Sequence, residues 1–231
     1  MAEKTSQTDA EPIPPQDRKG RAEDIVQILR KRIADHELPP GARLQEVELA
    51  NQFNISRSAV REILGTLEQR GLITRVPNRG AVVAKLEFKE IYEIFDVRVA
   101  LEGLCVREAT RRAPPEVWLP HIERFGDDME RAIEKGDIAR YSDALEDLRK
   151  ETIDWADNSH AAHFLDLVLD KTHLIKLRVT LLPGRAAAGR KMHLEMLHFM
   201  RSGDAANAEL TKKRIIRSAR DWLERYRSFI L

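Results

Sequence analysis

Between positions 56 and 61 the chain reads Ser-Arg-Ser-Ala-Val-Arg. Arg57 and Arg61 are four residues apart, so on a helix both project from one side. Guanidinium groups placed that way clamp phosphate or read guanine through paired N–H donors. The hydroxyls of Ser56 and Ser58 suit phosphate oxygens. Further on, Asn78-Arg79-Gly80 offers a cation on a tight turn, a shape that enters the narrow minor groove of DNA. Each arginine taken alone reads as an ordinary solvated cation. The elements that carry them decide between the two readings.

The segment Glu46–Gly65 has the pattern of two short helices crossing steeply. Ala50 is small enough for their contact. Asn54 tolerates the positive φ of a tight turn. Ile55 plugs the core, Ser56 caps the second helix, and Val60 and Ile63 pack it back onto the first. A helix ahead of them starts at Ala22, with Ile25, Ile28, Leu29 and Ile33 on one apolar face. It ends at Leu38-Pro39-Pro40-Gly41. Val60, Ile63, Leu64 and Leu67 form one stripe from Arg57 to Arg70, and Gly71 stops it. Leu72–Val76 and Ala81–Ala84 flank Pro77-Asn78-Arg79-Gly80 as a β-hairpin. Three helices and a hairpin make a winged helix-turn-helix, a fold that reads double-stranded DNA.

Charge agrees with this division. Residues 18–86 hold 13 Lys/Arg against 8 Asp/Glu, although the whole chain of 231 residues carries only +1. A basic module on a near-neutral chain suits nucleic acid. Residues 1–17, polar and with three prolines, read as a disordered tail. Residues 87–231 show helical periodicity throughout. Phe88, Ile91, Ile94, Phe95 and Leu101 make one helical stripe that Pro114-Pro115 breaks, and further helices are expected over Trp118–Ile133, Tyr141–Asp154, Ala161–Leu181, Gly184–Arg201 and Ala205–Phe229. That makes an all-α antiparallel bundle behind the winged module.

Other function classes find little support. With 42% hydrophobic and 33% charged residues the composition is that of a soluble globular protein. No apolar run approaches the ~18 residues of a membrane span, and the first residues do not form a signal peptide, so a cytoplasmic location is expected. The single cysteine, Cys105, excludes an internal disulfide and a cysteine-based zinc cluster. No phosphate-binding glycine loop, nucleophile elbow or zinc-protease helix is present, so no enzyme is expected.

Leu44-Gln45-Glu46-Val47-Glu48-Leu49-Ala50, Ser56–Glu62, Leu67–Ile73 and Asn78–Val83 resemble the GntR-type winged helix-turn-helix. Ile91–Glu102 is similar to the opening of the helical ligand-sensing domain of its FadR subfamily, and the Gly203-Asp204-Ala205 turn with its preceding His193 fits the end of that domain. The resemblance implies a homodimeric, ligand-controlled transcription factor on a palindromic operator, more commonly a repressor.

In many such relatives the sensing domain holds a metal through one aspartate and three histidines. Carried over, those positions fall on Glu146, Lys150, His193 and Ile215. Lysine and isoleucine cannot coordinate, and a shift of one residue brings in Arg149, which repairs nothing. His160 and His163, three apart, are a weak substitute. No metal and no cofactor is therefore expected. Lys150 instead places an ammonium near His193 to hold a small anionic effector, a carboxylate; its plain alternative is pairing with Glu146 or Asp147. Arg98 has two readings, a pair with Glu102 or a ligand clamp, and Arg178 has the same two. Trp155 and Trp222 read as core. The remaining alternative is a constitutive DNA-binding protein whose helical part only dimerises.

Overall fold

The computed structural model describes residues 15–34, 37–85 and 87–227, with side chains except those of 15–19, 170 and 172–178. The chain forms two compact units, residues 1–84 and 85–231.

In the first unit, α1 (Pro15–Ala34), α2 (Glu46–Phe53) and α3 (Arg57–Gln69) pack around one core, and a three-stranded sheet closes it. β2 (Ile73–Val76) and β3 (Gly80–Val83) pair antiparallel, with Val76 opposite Gly80. β1 (Arg43–Leu44) pairs with the other edge of β3. Two residues are too short for a periodic signal, so this strand was not expected. The helix begins at Pro15, inside the stretch 1–17 read as a tail. Proline suits a first helical turn, where its missing N–H would have no partner anyway. Residues 1–14 lie outside those described.

Ile25, Val26, Leu29 and Ile33 are buried, but Ile28 is 46% exposed. The apolar face of α1 is thus rotated from the expected one, with Val26 inward. On α3, Val60, Ile63, Leu64 and Leu67 are all buried. Gly71 ends α3 at φ 67°. Its N–H reaches the Glu68 carbonyl at 2.8 Å, and that of Leu72 reaches Leu67 at 3.0 Å. This is the paired closure that satisfies the last carbonyls of a helix.

The second unit is all-α among the described residues. α4 (Phe88–Arg112) packs against α7 (Ile138–Ala156) and α10 (Ala205–Arg225). α8 (Ser159–Thr180) and α9 (Arg185–Arg201) complete the bundle. Trp118, Phe125, Met129, Met196 and Leu197 are fully buried at its centre. The helix expected over Trp118–Ile133 is instead a 3-10 turn (Pro115–Trp118), α5 (Leu119–Arg124) and α6 (Asp127–Glu134). The break at Phe125-Gly126 frees carbonyls, and buried Arg190 donates to them at 3.0 and 3.4 Å. Arg190 also pairs with Glu130 at 2.7 Å. An arginine 64 residues along the chain answers this break, which no local pattern reveals.

Candidate nucleic-acid interface and effector cavity

The turn between α2 and α3 has the geometry that two crossing helices require. Asn54 is left-handed, φ 48° and ψ 56°. The N–H of Ile55 reaches back to the Ala50 carbonyl at 3.1 Å. Ser56 then caps α3, its Oγ accepting from the Ala59 N–H at 3.2 Å. The same Oγ lies 2.8 Å from that of Ser58. With the apolar stripe of α3 turned inward, Ser56, Arg57, Ser58 and Arg61 are all exposed. Arg61 leans on α2 through Glu46, 2.9 Å away. Arg57 has no ion pair among the described residues. At the wing tip, Asn78 and Gly80 take positive φ, 62° and 75°, and turn exposed Arg79 outward. The structure thus gathers one polar, cationic helix face and one cationic wing in a single module.

The second unit holds a partly open cavity of about 90 Å³ between five helices. α4 contributes Ile94, Phe95, Arg98 and Glu102, on one helical stripe. α10 contributes Lys212, Ile215, Ile216 and Ala219, again one stripe. Leu145 and Arg149 come from α7, Val179 and Thr180 from α8, and Arg185 and His193 from α9.

The expected placement of Lys150 is corrected here. Lys150 is exposed on α7 and does not line the cavity; Arg149, one residue earlier, does. One residue is 100° of helix rotation, and the buried face of α7 carries Tyr141, Ala144 and Leu148. Glu146 holds Arg149 by two hydrogen bonds, 3.1 and 2.6 Å. Arg98 takes the first of its two readings while still lining the cavity: its Nε lies 2.6 Å from Glu102. The side chain of Arg178 lies outside the described residues. His160 and His163 are exposed on α8.

Burial alone would raise the Glu102 carboxyl, but Arg98 and Lys212 hold it well below the usual range. Lys212 Nζ is 2.7 Å from Glu102. Burial, with Lys212 nearby, pulls His193 down to about 3, so the imidazole is neutral. Burial also pushes the Cys105 thiol up to about 11, which leaves it inert. A divalent cation does not fit this set. Among the described residues, His193 stands with four cations, and the one lining carboxylate is already shared by two of them.

Sequence reading missed Arg185 and Lys212. The signal was there: Arg185, Gly189 and His193 recur every four residues, which places them on one face of α9. Lys212 interrupts the apolar stripe of α10.

Neutral His193 has a consequence for stability. An unfolded histidine takes its proton near pH 6.5, while the folded one resists. The unfolded state therefore binds more protons as pH falls below 6.5, and stability is lost by up to about 1.4 kcal/mol per pH unit. Urea denaturation at pH 7 and 5.5 should show a loss of about 1 kcal/mol that is smaller in His193→Gln. Equal losses in both proteins would assign the acid sensitivity elsewhere.

A winged helix-turn-helix followed by a helical bundle defines a DNA-binding transcriptional regulator as the class. The chain belongs to the gntR family of bacterial regulatory proteins: that family's model matches residues 21–83, and the FCD domain model matches residues 93–218. It is similar to the uncharacterized HTH-type transcriptional regulator YdhC of Bacillus subtilis, 31% identical over 64% of this chain and 66% of that protein. It is 36% identical to the gluconate operon transcriptional repressor of Bacillus licheniformis over 49% of this chain and 46% of that protein. The two matches span less than two thirds of those relatives' own lengths. Among solved structures, E. coli McbR/YncC matches with TM-score 0.74 at 19% identity, covering 89% of this chain and 98% of that one. That likeness concerns the fold.

Proposed function

We propose that this protein is a transcriptional regulator, acting in the cytoplasm as a homodimeric repressor on a palindromic operator and modulated by a small carboxylate. The observation that carries the DNA reading is the exposed Ser56-Arg57-Ser58-Arg61 face, held outward by a fully buried stripe on the same helix. A single winged module reads few base pairs, and pairing two doubles the site. The cationic cavity supports the effector reading, since buried cations favour an anionic ligand.

The test starts from a pool of randomised duplexes, from which the protein should select an inverted repeat. Light scattering should give two chains per selected duplex. A monomer bound once per site would overturn the dimer reading, and failure to select any sequence would overturn the operator reading.

Arg79→Ala should act through the wing. A lost phosphate contact lowers the slope of log affinity against log salt by about 0.9, so a dimer should lose roughly two units of slope. Affinity should fall several-fold at low salt and less at high salt. An unchanged slope would place Arg79 off the DNA.

A further inference from the structure

Arg185 is the unsettled group of the cavity. It is 8% exposed, yet its guanidinium, with five N–H donors, donates among the described residues to the Ile215 carbonyl alone, at 3.4 Å. No carboxylate faces it among the described residues. A buried cation without a counter-charge is costly, and burial accordingly lowers its pKa. Beside it, Gly189 keeps the space open. A Cβ there would lie 2.7 Å from Arg185 Nη1 and 2.5 Å from the Tyr141 hydroxyl. Glycine in mid-helix is destabilising relative to alanine, so its use here has a packing reason.

His193 specifies the ligand further. Its Nδ1 lies 2.8 Å from the Gly189 carbonyl oxygen, a pure acceptor, so Nδ1 carries the hydrogen. Nε2 then carries a lone pair, and no donor reaches it among the described residues. A carboxylate oxygen cannot satisfy that lone pair, whereas a hydroxyl can. The charges set the ligand's valence. Among the described residues, four lining cations face one lining carboxylate, and Glu146 neutralises Arg149, which leaves two positive charges unmatched. The volume of about 90 Å³ is roughly six to nine times what one water needs on the same measure.

We propose that the cavity binds, without a metal ion, a small hydroxylated dicarboxylate. One carboxylate lies on Arg185, the other beside the Arg98–Glu102–Lys212 cluster, and the hydroxyl donates to Nε2 of His193. This rests on reading the helical unit as an effector domain, and it adds the ligand's valence, its hydroxyl and its anchor.

Calorimetry on the full chain, chelated and desalted, tests this with three four-carbon probes: malate, succinate and 3-hydroxybutyrate. Malate should bind at least tenfold more tightly than succinate, which lacks the hydroxyl, and than 3-hydroxybutyrate, which lacks a carboxylate. Arg185→Met should abolish malate binding while raising the melting temperature of the ligand-free protein by roughly 2–8 °C, because an unmatched buried charge is removed. A merely structural arginine would shift it the other way. His193→Leu should erase the preference for malate over succinate and keep succinate binding. Binding abolished by chelation, succinate equal to malate, no probe bound, or full malate affinity in Arg185→Met would each overturn the proposal. Operator release is measured separately: malate bound as expected without release would overturn the regulatory reading and leave the site assignment standing.

Discussion

Arg57→Ala combined with Arg61→Ala should reduce affinity for the selected operator by at least a hundredfold while leaving the protein folded. A lost bidentate base contact costs about 1–3 kcal/mol, and a symmetric dimer loses it in both half-sites. The structure separates the two residues. Arg57 is exposed and without an ion pair among the described residues, so its whole guanidinium is available to DNA. Arg61 already contacts Glu46 at 2.9 Å, and DNA must compete with that pair. An exposed pair of this kind is worth at most about 1 kcal/mol, so Arg57→Ala should be the more damaging single change. Alanine favours the helix, and the buried stripe of α3 is untouched, so the melting temperature should move by only a few degrees. Fluorescence anisotropy with labelled duplex, alongside thermal denaturation, measures both. Wild-type affinity in the folded double variant would show that α3 does not present this face to DNA.

Glu102→Gln should be the most destabilising single change in the helical unit. Glu102 is buried at 6% exposure and is the shared partner of Arg98 and Lys212, at 2.6 and 2.7 Å. Removing one member of a buried ion network leaves charges uncompensated, at about 3–5 kcal/mol. Here the change leaves Arg98, Lys212 and Arg185 facing one cavity with no anion among the described lining residues. At roughly 2–4 °C per kcal/mol for a chain of this size, the melting temperature should fall by about 6–20 °C. The effect depends on pH in a definite sense. Arg98 and Lys212 hold the Glu102 carboxyl below its usual range, so its contribution is present above about pH 4.3, the ordinary glutamate value. It is lost as pH falls further, toward the folded value. The gap between wild type and Glu102→Gln, followed by urea denaturation, should therefore be full at pH 7 and close in acid. A gap independent of pH, or none at pH 7, would show that the network does not hold α4 to α10.

The sequence by itself determined the local geometry of the DNA module. Asn54 takes the left-handed turn, Ser56 caps α3 and Gly71 closes it, because each depends on backbone conformation or a hydrogen bond within a few residues. The inward stripe Val60, Ile63, Leu64 and Leu67 followed from helical period alone. The family resemblance extended this to the helical unit, and the metal-ligating pattern was visibly broken at Lys150 and Ile215. Tertiary structure decided how each helix is rotated about its axis. A rotation of 100° separates Lys150 in solvent from Arg149 in the cavity, and packing of α7 against α4 chooses between them. The same freedom exposed Ile28 and buried Val26. Long-range contacts decided the rest. Arg190 stabilises a helix break 64 residues away, and β1 exists only because β3 offers it an edge. The cavity joins cations from α4, α7, α9 and α10. Spacing within one helix tells which side chains share its face, but only packing brings the faces of four helices to one point and leaves Arg185 there without a counter-charge among the described residues.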